Sequence, residues 1–309
     1  MNKFDPQDLN GVMPAMITSF NKDESINKEG IRKTINYLIS QNVNGLYITG
    51  STGETFLMSL EEKKQVIEII VEEVNKRVPV IAHIGSIGTK ITIELAQYAE
   101  KVGVDALSAL PPFYYEFSND EIYNFYKDIS TSSNLPLIVY NISLANLMDF
   151  EMLKRLASIE NIKGVKYTDA THFNFNKIKK EIGSYFKIYS GLDEMALSGI
   201  ISGADGMIGS FYNLMPEMFV GIFENLKKDN VDEAKKIQNK VNIIIMYALQ
   251  KSGYPFIKMG LNWLGIDSGY VRKPFKSIIG KEMEDEIKKD LINLREKNDL
   301  TGIKFLETL

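Results

Sequence analysis

Residues 135–167 read LPLIVYNISLANLMDFEMLKRLASIENIKGVKY. Two β-prone runs, 135–140 and 162–167, enclose a segment in which Leu153, Leu156 and Ala157 recur at helical spacing. The first run is apolar on both faces, as a strand covered by helices should be. The second ends on a lysine, Lys166, a residue type seldom buried unless its charge is paired or used.

The same rhythm extends in both directions. Further strands are expected at 11–18, 45–49, 78–84, 105–110, 186–191 and 203–209. Between them, Ile31, Ile35, Leu38 and Ile39 form one helical stripe. Ser59 with Glu62 forms a capping-box signal ahead of Ile67, Ile70, Val71 and Val74, and Ser118 with Glu121 repeats it ahead of Ile122, Phe125, Tyr126 and Ile129. Ile178 and Ile182 mark a further helix, and Met195–Ile201 a short one. Eight strand–helix units in 309 residues give the expected fold, an α/β (β/α)₈ TIM barrel. A doubly wound open sheet is the alternative, because periodicity does not report closure. After residue 215 the β signal ends, and helical stretches are expected at 216–250, broken near KKDN, at 254–264 and at 281–296. Residues 1–215 are thus assigned to the barrel, and 216–309 to a C-terminal helical extension that includes the last barrel helix.

Composition narrows the function. The chain is 44% hydrophobic and 25% charged, with a formal net charge of -4. No basic block or aromatic-basic stripe offers a nucleic-acid footprint. The absence of cysteine removes thiolate chemistry and disulfides and fits a reducing compartment. With two histidines, His83 and His172, an imidazole-built zinc site is not expected. The stretch MNKFDPQDLNG lacks the apolar centre of a secretory leader, and no apolar run reaches membrane-spanning length, so a cytoplasmic location is expected.

Barrels carry their chemistry at the C-terminal ends of strands. That rule selects GSTGETF (50–56), PPFYYEF (111–117), Tyr140–Asn141, Lys166–Asp169, Gly191 with Asp193 and Glu194, and Gly209–Ser210. GSTGE can aim backbone N–H groups and the Ser51 and Thr52 hydroxyls at a carboxylate or phosphate, or be a tight turn with Glu54 opening a helix. It lacks the Gly-Lys-Ser/Thr ending of a P-loop. Lys166 is either a snorkelling strand-end lysine paired with an acid or a Schiff-base nucleophile made neutral by enclosure. Tyr140 is either a packed amphipathic ring or a phenol that relays protons beside that amine. Asp193 and Glu194 either bind a polyol or amine, or cap the following helix. His83 reads as a packed, hydrogen-bonded histidine, and His172, near a helix start, as exposed.

Taken together, GLYITGSTGETFLMSLEEK, PPFYYEF, IVYNI, GVKYT, GLDE, GADGMIGSFYN and RKPF, in this order and spacing across roughly residues 8–295, resemble the family of pyruvate-dependent aldolases and lyases that includes dihydrodipicolinate synthase and N-acetylneuraminate lyase. The resemblance implies a (β/α)₈ barrel with a helical extension, commonly a homotetramer. It implies that Lys166 forms the Schiff base with pyruvate, that Tyr140 relays protons, and that Ser51 and Thr52 hold the pyruvate carboxylate. Tyr114 matches an aromatic offered across a subunit interface to support the catalytic tyrosine. Asp193, Glu194, Ser210, Thr168 and the backbone of Gly191 match contacts to a sugar acid. Ala145 stands where the synthases carry an arginine for their second substrate. Ser143 replaces a proline common in the lyases, and Tyr167 and Asp169 alter one pocket wall. The implied reaction is reversible aldol cleavage of N-acetylneuraminate to pyruvate and N-acetylmannosamine, with no metal or organic cofactor. The implied alternatives are dihydrodipicolinate synthesis, cleavage of another 2-keto-3-deoxy sugar acid, and a catalytically silent sugar-acid sensor.

Overall fold

The computed structural model describes residue 4, residues 8–278 and residues 280–309. The remaining residues of the N-terminal stretch, 1–3 and 5–7, lie outside the described residues. All eight expected strands form: β1 (Gly11–Pro14), β2 (Leu46–Ile48), β3 (Val80–His83), β4 (Ala106–Ala109), β5 (Leu137–Ile142), β6 (Ile162–Thr168), β7 (Lys187–Ser190) and β8 (Gly206–Gly209). The helices that follow them are α1 (Lys28–Ser40), α2 (Leu60–Val74), α3 (Thr89–Val102), α4 (Asn119–Thr131), α5 (Phe150–Ala157), α6 (Phe173–Glu181), α7 (Ala196–Ile201) and α8 (Pro216–Lys227). Both capping boxes are made, Ser59 with Glu62 opening α2 and Ser118 with Glu121 opening α4. α3 carries no large apolar stripe. Its buried face is Thr92, Leu95, Ala96 and Ala99, with Leu95 the one large apolar side chain among them.

The strands pair in parallel in the order β1-β8-β7-β6-β5-β4-β3-β2. What separates a barrel from an open sheet is the seam between β1 and β2. There Met16 N donates to Tyr47 O (2.8 Å) and Asn44 N to Val12 O (2.8 Å). The Asn44 side chain completes the seam, accepting from Val12 N at 2.8 Å. Gly11 makes room for it: a Cβ there would lie 2.3 Å from Asn44 Oδ1, and its φ of +82° favours glycine. The sheet is therefore closed, and the fold is a (β/α)₈ barrel with a C-terminal helical part.

Alternate strand residues divide the interior. Met13, Tyr47, Ile81, Ala106, Ile138, Tyr189 and Ile208 pack with one another inside the barrel. Their neighbours, among them Leu46, Ile48, Ala82, Leu107, Leu137, Val139, Val165 and Ile188, face the helices in the main core. Beyond α8 come α9 (Val231–Gln250), α10 (Tyr254–Trp263) and α11 (Lys281–Asn298). Ile244, Ile245, Phe256, Ile257, Leu261, Ile287 and Leu291 from these helices share one core with Val12, Ile17 and Met207 of the barrel.

His172 departs from expectation. It is buried, 5% exposed, stacked on Phe175 at 4.8 Å between ring centroids, with Nδ1 2.9 Å from Ser198 Oγ. The loop before α6 folds inward, so proximity to a helix start did not mean exposure.

Asn44→Ala should strand the Val12 N–H at the seam and cost about 1–3 kcal/mol of folding stability. Denaturant unfolding measures this. A loss below about 0.5 kcal/mol would mean that the seam does not depend on this side chain.

Candidate active site

The C-terminal mouth of the barrel gathers the expected residues from five strand ends. Parallel register sets Lys166 of β6 beside Tyr140 of β5 and Tyr189 of β7. Lys166 is 5% exposed. Its Nζ lies 4.1 Å from the Tyr140 ring centroid and 4.4 Å from that of Tyr47. Ring faces are a weak substitute for water around an ammonium. Burial accordingly lowers the amine's pKa to about 7, against a smaller opposing pull from Asp193. Among the described residues no ion pair engages Lys166, and the geometry is that of an enclosed amine.

Asp193 is the acid whose charge acts on Lys166. It follows β7 in a single 3₁₀ turn, 193–195, and its carboxylate is already occupied. Oδ2 accepts from Phe211 N at 2.6 Å and Oδ1 from Ser210 N at 3.2 Å. Burial raises its pKa to about 7, and Glu194 adds to the rise, while the two backbone bonds and the Lys166 charge oppose it. Glu194 is exposed. Two amides of α9 hold this segment: Gln238 Nε2 donates to Asp193 O (3.1 Å) and Asn242 Nδ2 to Glu194 O (3.1 Å).

Tyr140 is buried, edge-on to Tyr47 and His83 at 6.2 and 6.0 Å between ring centroids. Burial pushes its phenol up to about 12, offset in part by the nearby hydroxyls of Ser51 and Thr168, so it enters any reaction as a neutral acid. His83 cannot serve as the base. Burial, with the Lys63 and Lys166 charges, drives its pKa to about 3, and Nδ1 sits 3.2 Å from Thr49 O. It is the packed, hydrogen-bonded histidine that its place in the third strand suggested.

The GSTGE turn is one 3₁₀ turn, Ser51–Gly53, closed by Glu54 in the left-handed region at φ 59°. Glu54 caps a second 3₁₀ turn, Thr55–Leu57, and lies outside α2. The N–H groups of Gly53, Glu54 and Thr55 are used inside the turn. Thr52 Oγ1 and Ser210 Oγ lie 2.6 Å apart, joining the turn to the loop after β8. The Thr168 hydroxyl is buried without completing a hydrogen bond. Gly191 is required beside it, since a Cβ there would stand 2.0 Å from Thr168 Oγ1. Tyr114 lies apart from this group. It is 84% exposed at φ 83°, its ring edge-on to Tyr115 at 5.0 Å.

Two cavities open among the loops that follow the strands. One, about 390 Å³, is lined by Gly191, Asp193, Glu194, Ser210 and Tyr254. The other, about 360 Å³, is bounded by Ser51, Phe56, Leu110, Ile142, Ala145 and, again, Tyr254. Tyr254, at the start of α10, was not singled out from the sequence. Nor were Tyr47, Gln238, Asn242 and Lys258, whose relation to the site depends on contacts across the fold. Among the described residues no three histidine or acidic side chains converge as a metal cage would require.

A closed barrel carrying a desolvated amine beside a neutral phenol defines a site able to add to a carbonyl and move a proton. The model of the dihydrodipicolinate synthetase family matches residues 8–294, and the chain belongs to that family. An N-acetylneuraminate lyase of Fusobacterium nucleatum is 39% identical over 279 residues, covering 89% of this chain and 96% of the relative. A Clostridium difficile protein, CdNal, solved in complex with mannosamine, is 36% identical with a TM-score of 0.88, covering 91% of this chain and 97% of that one. The Fusobacterium nucleatum lyase complexed with pyruvate superposes with a TM-score of 0.86 at 38% identity, covering 92% and 97%.

Lys166→Met tests the desolvation directly. The folded pKa, about 7, lies below the unfolded value of 10.5, so the unfolded chain binds the extra proton and wild-type stability rises with pH between those limits. Lys166→Met should therefore exceed the wild type by roughly 5 kcal/mol below pH 7, the gap closing toward pH 10. A gap that does not change with pH would mean that the amine is not desolvated.

Proposed function

We propose that the protein is an N-acetylneuraminate lyase, cleaving the open-chain sugar acid reversibly to pyruvate and N-acetylmannosamine. The observation that carries this reading is the enclosed Lys166 amine against Tyr140, at the barrel mouth where Asp193, Glu194 and Ser210 line a cavity. In this scheme the substrate carboxylate sits on the Ser51–Thr52 turn. The neutral amine of Lys166 attacks the C2 ketone, and loss of water gives a protonated imine. Tyr140 gives up its phenolic proton as that water leaves, and the resulting phenolate, aided by the substrate carboxylate, takes the proton from the C4 hydroxyl. The C3–C4 bond breaks, its electron pair entering the iminium to give an enamine, and N-acetylmannosamine leaves. Protonation at C3 and hydrolysis release pyruvate and restore the amine. The lysine itself is the electron sink, so the scheme calls on no metal or organic cofactor.

Thr168 and the Gly191 backbone belong beside the reacting carbons, and Ser210 and Glu194 along the hydroxylated tail. The carboxylate of Asp193 serves chiefly by fixing Ser210 and the β8 loop. Ala145, in the wall of the second cavity, speaks against the synthase: no guanidinium there meets a second carboxylate. Exposed Tyr114 supports an assembly, proposed to be a homotetramer, in which it reaches a neighbouring subunit. No helix among the described residues is long and apolar enough to cross a membrane, and a cytoplasmic location is part of the proposal.

Purified protein should release pyruvate from N-acetylneuraminate without added metal, read by coupling to lactate dehydrogenase. Lys166→Arg should abolish borohydride trapping of pyruvate, since a guanidinium forms no imine. Trapping at another lysine would remove Lys166 from the mechanism. Tyr140→Phe should retain trapping but lower turnover by about 10²-fold or more. An unchanged turnover would take Tyr140 out of the proton path.

The pH profile has a defined sign. Only the unprotonated amine attacks, so the initial rate of imine formation should climb through a midpoint near pH 7 and level above it. Asp193→Asn removes the charge that raises the Lys166 pKa and should move the midpoint down. A midpoint near that of a free lysine would contradict the desolvated nucleophile.

A further inference from the structure

Behind the Ser51–Thr52 turn lies a buried ion pair. Glu54, at φ 59°, has a side chain with no exposed surface. Its Oε1 accepts from Lys258 Nζ at 2.6 Å and its Oε2 from Arg272 N at 2.7 Å. Lys258 belongs to α10 in the helical extension. It also donates to Thr18 O and Tyr270 O, both at 2.7 Å, so all three ammonium hydrogens are used. Thr18 in turn donates from Oγ1 to Gly53 O at 2.9 Å, gripping the turn from the same side. The Arg272 guanidinium pairs with both oxygens of Glu62 and donates to Leu57 O at 2.8 Å. The buried Phe20 ring receives both cations, Lys258 Nζ at 4.8 Å and Arg272 Cζ at 4.2 Å from its centroid.

Stability alone does not account for such a pair. Replacing a buried ion pair with apolar side chains of similar volume is often neutral or stabilising. What the pair adds is direction. Residue 54 is fixed in a conformation that an L-residue rarely adopts, from two sides, immediately after the two hydroxyl residues of the turn. We infer that Glu54 and Lys258 are positioning residues: the helical extension, through this pair, holds Ser51 and Thr52 in the geometry that receives the carboxylate of a 2-keto acid. The inference rests on the proposed reading of the turn as the carboxylate seat.

The test compares wild type with Glu54→Gln, Lys258→Met and the double variant Glu54→Gln/Lys258→Met. Its readouts are Tm, the pyruvate concentration for half-maximal imine trapping, and the KM for pyruvate and kcat in the aldol direction. Each single variant leaves a buried group without its partner and should lose Tm. The double variant should recover most of that loss. In all three, the KM for pyruvate should rise about tenfold or more, with kcat at saturation within about threefold of wild type, as for a loss of ground-state positioning. A purely structural pair predicts that KM recovers with Tm in the double variant, and that result would overturn the inference. So would an unchanged KM in either folded single variant. Should both singles fail to fold, the double variant decides on the same criterion. Failure of the underlying reading looks different. Either wild type traps no pyruvate, or Thr52→Val leaves the pyruvate KM unmoved.

Discussion

An ammonium taken out of water without a counter-ion is costly, and the neutral amine becomes the stable form instead. That trade sets the arrangement at the barrel mouth. Lys166 meets the faces of Tyr47 and Tyr140, which tolerate a cation but do not hold the proton as a carboxylate would. The acid that could do so, Asp193, spends both oxygens on the N–H groups of Ser210 and Phe211. The two backbone donors fix the acid and the loop after β8 to one another.

Such enclosure needs a closed sheet. The amine is contributed by β6, its aromatic neighbours by β2 and β5, and the acid by the loop after β7. In an open sheet, β2 would lie at an edge, with no strand beyond it to complete the wall. The seam between β1 and β2, made by two backbone bonds and the Asn44 side chain, is thus a condition for the chemistry at the other end of the strands as well as for the fold. Closure also lets Thr52, after β2, meet Ser210, after β8.

The sequence carried the parts of this design that are local or periodic. The strands, the capping boxes and the break within residues 216–250 each depend on a few adjacent residues and form where the spacing put them, although β1 stops at Pro14 rather than at residue 18. α3 went unnamed because three of its four buried residues, Thr92, Ala96 and Ala99, are small and only Leu95 is a large apolar anchor. His172 was misjudged because exposure near a helix start depends on how the preceding loop folds. The strand-end rule drew Lys166, Tyr140, Ser51, Thr52, Thr168, Gly191, Asp193 and Ser210 to one mouth, but it could not say that the acid's oxygens were already engaged. Glu54 was harder still. Its left-handed backbone and its partnership with Lys258, 204 residues away, are properties of the assembled chain, and nothing in GSTGE announces either.

The same distances argue against treating the helices after residue 215 as an appendage. α9 supplies Gln238 and Asn242, whose amides hold the Asp193–Glu194 segment. α10 supplies Tyr254 to both cavities and Lys258 to Glu54. Val12, Ile17 and Met207 of the barrel lie in one apolar core with Ile244, Phe256 and Leu261. Removing these helices would uncover that core, strand a buried carboxylate at residue 54 and release the carbonyls of residues 193 and 194. Barrel and extension share their apolar core and their polar ties, and the mouth of the barrel keeps its shape only while both are in place.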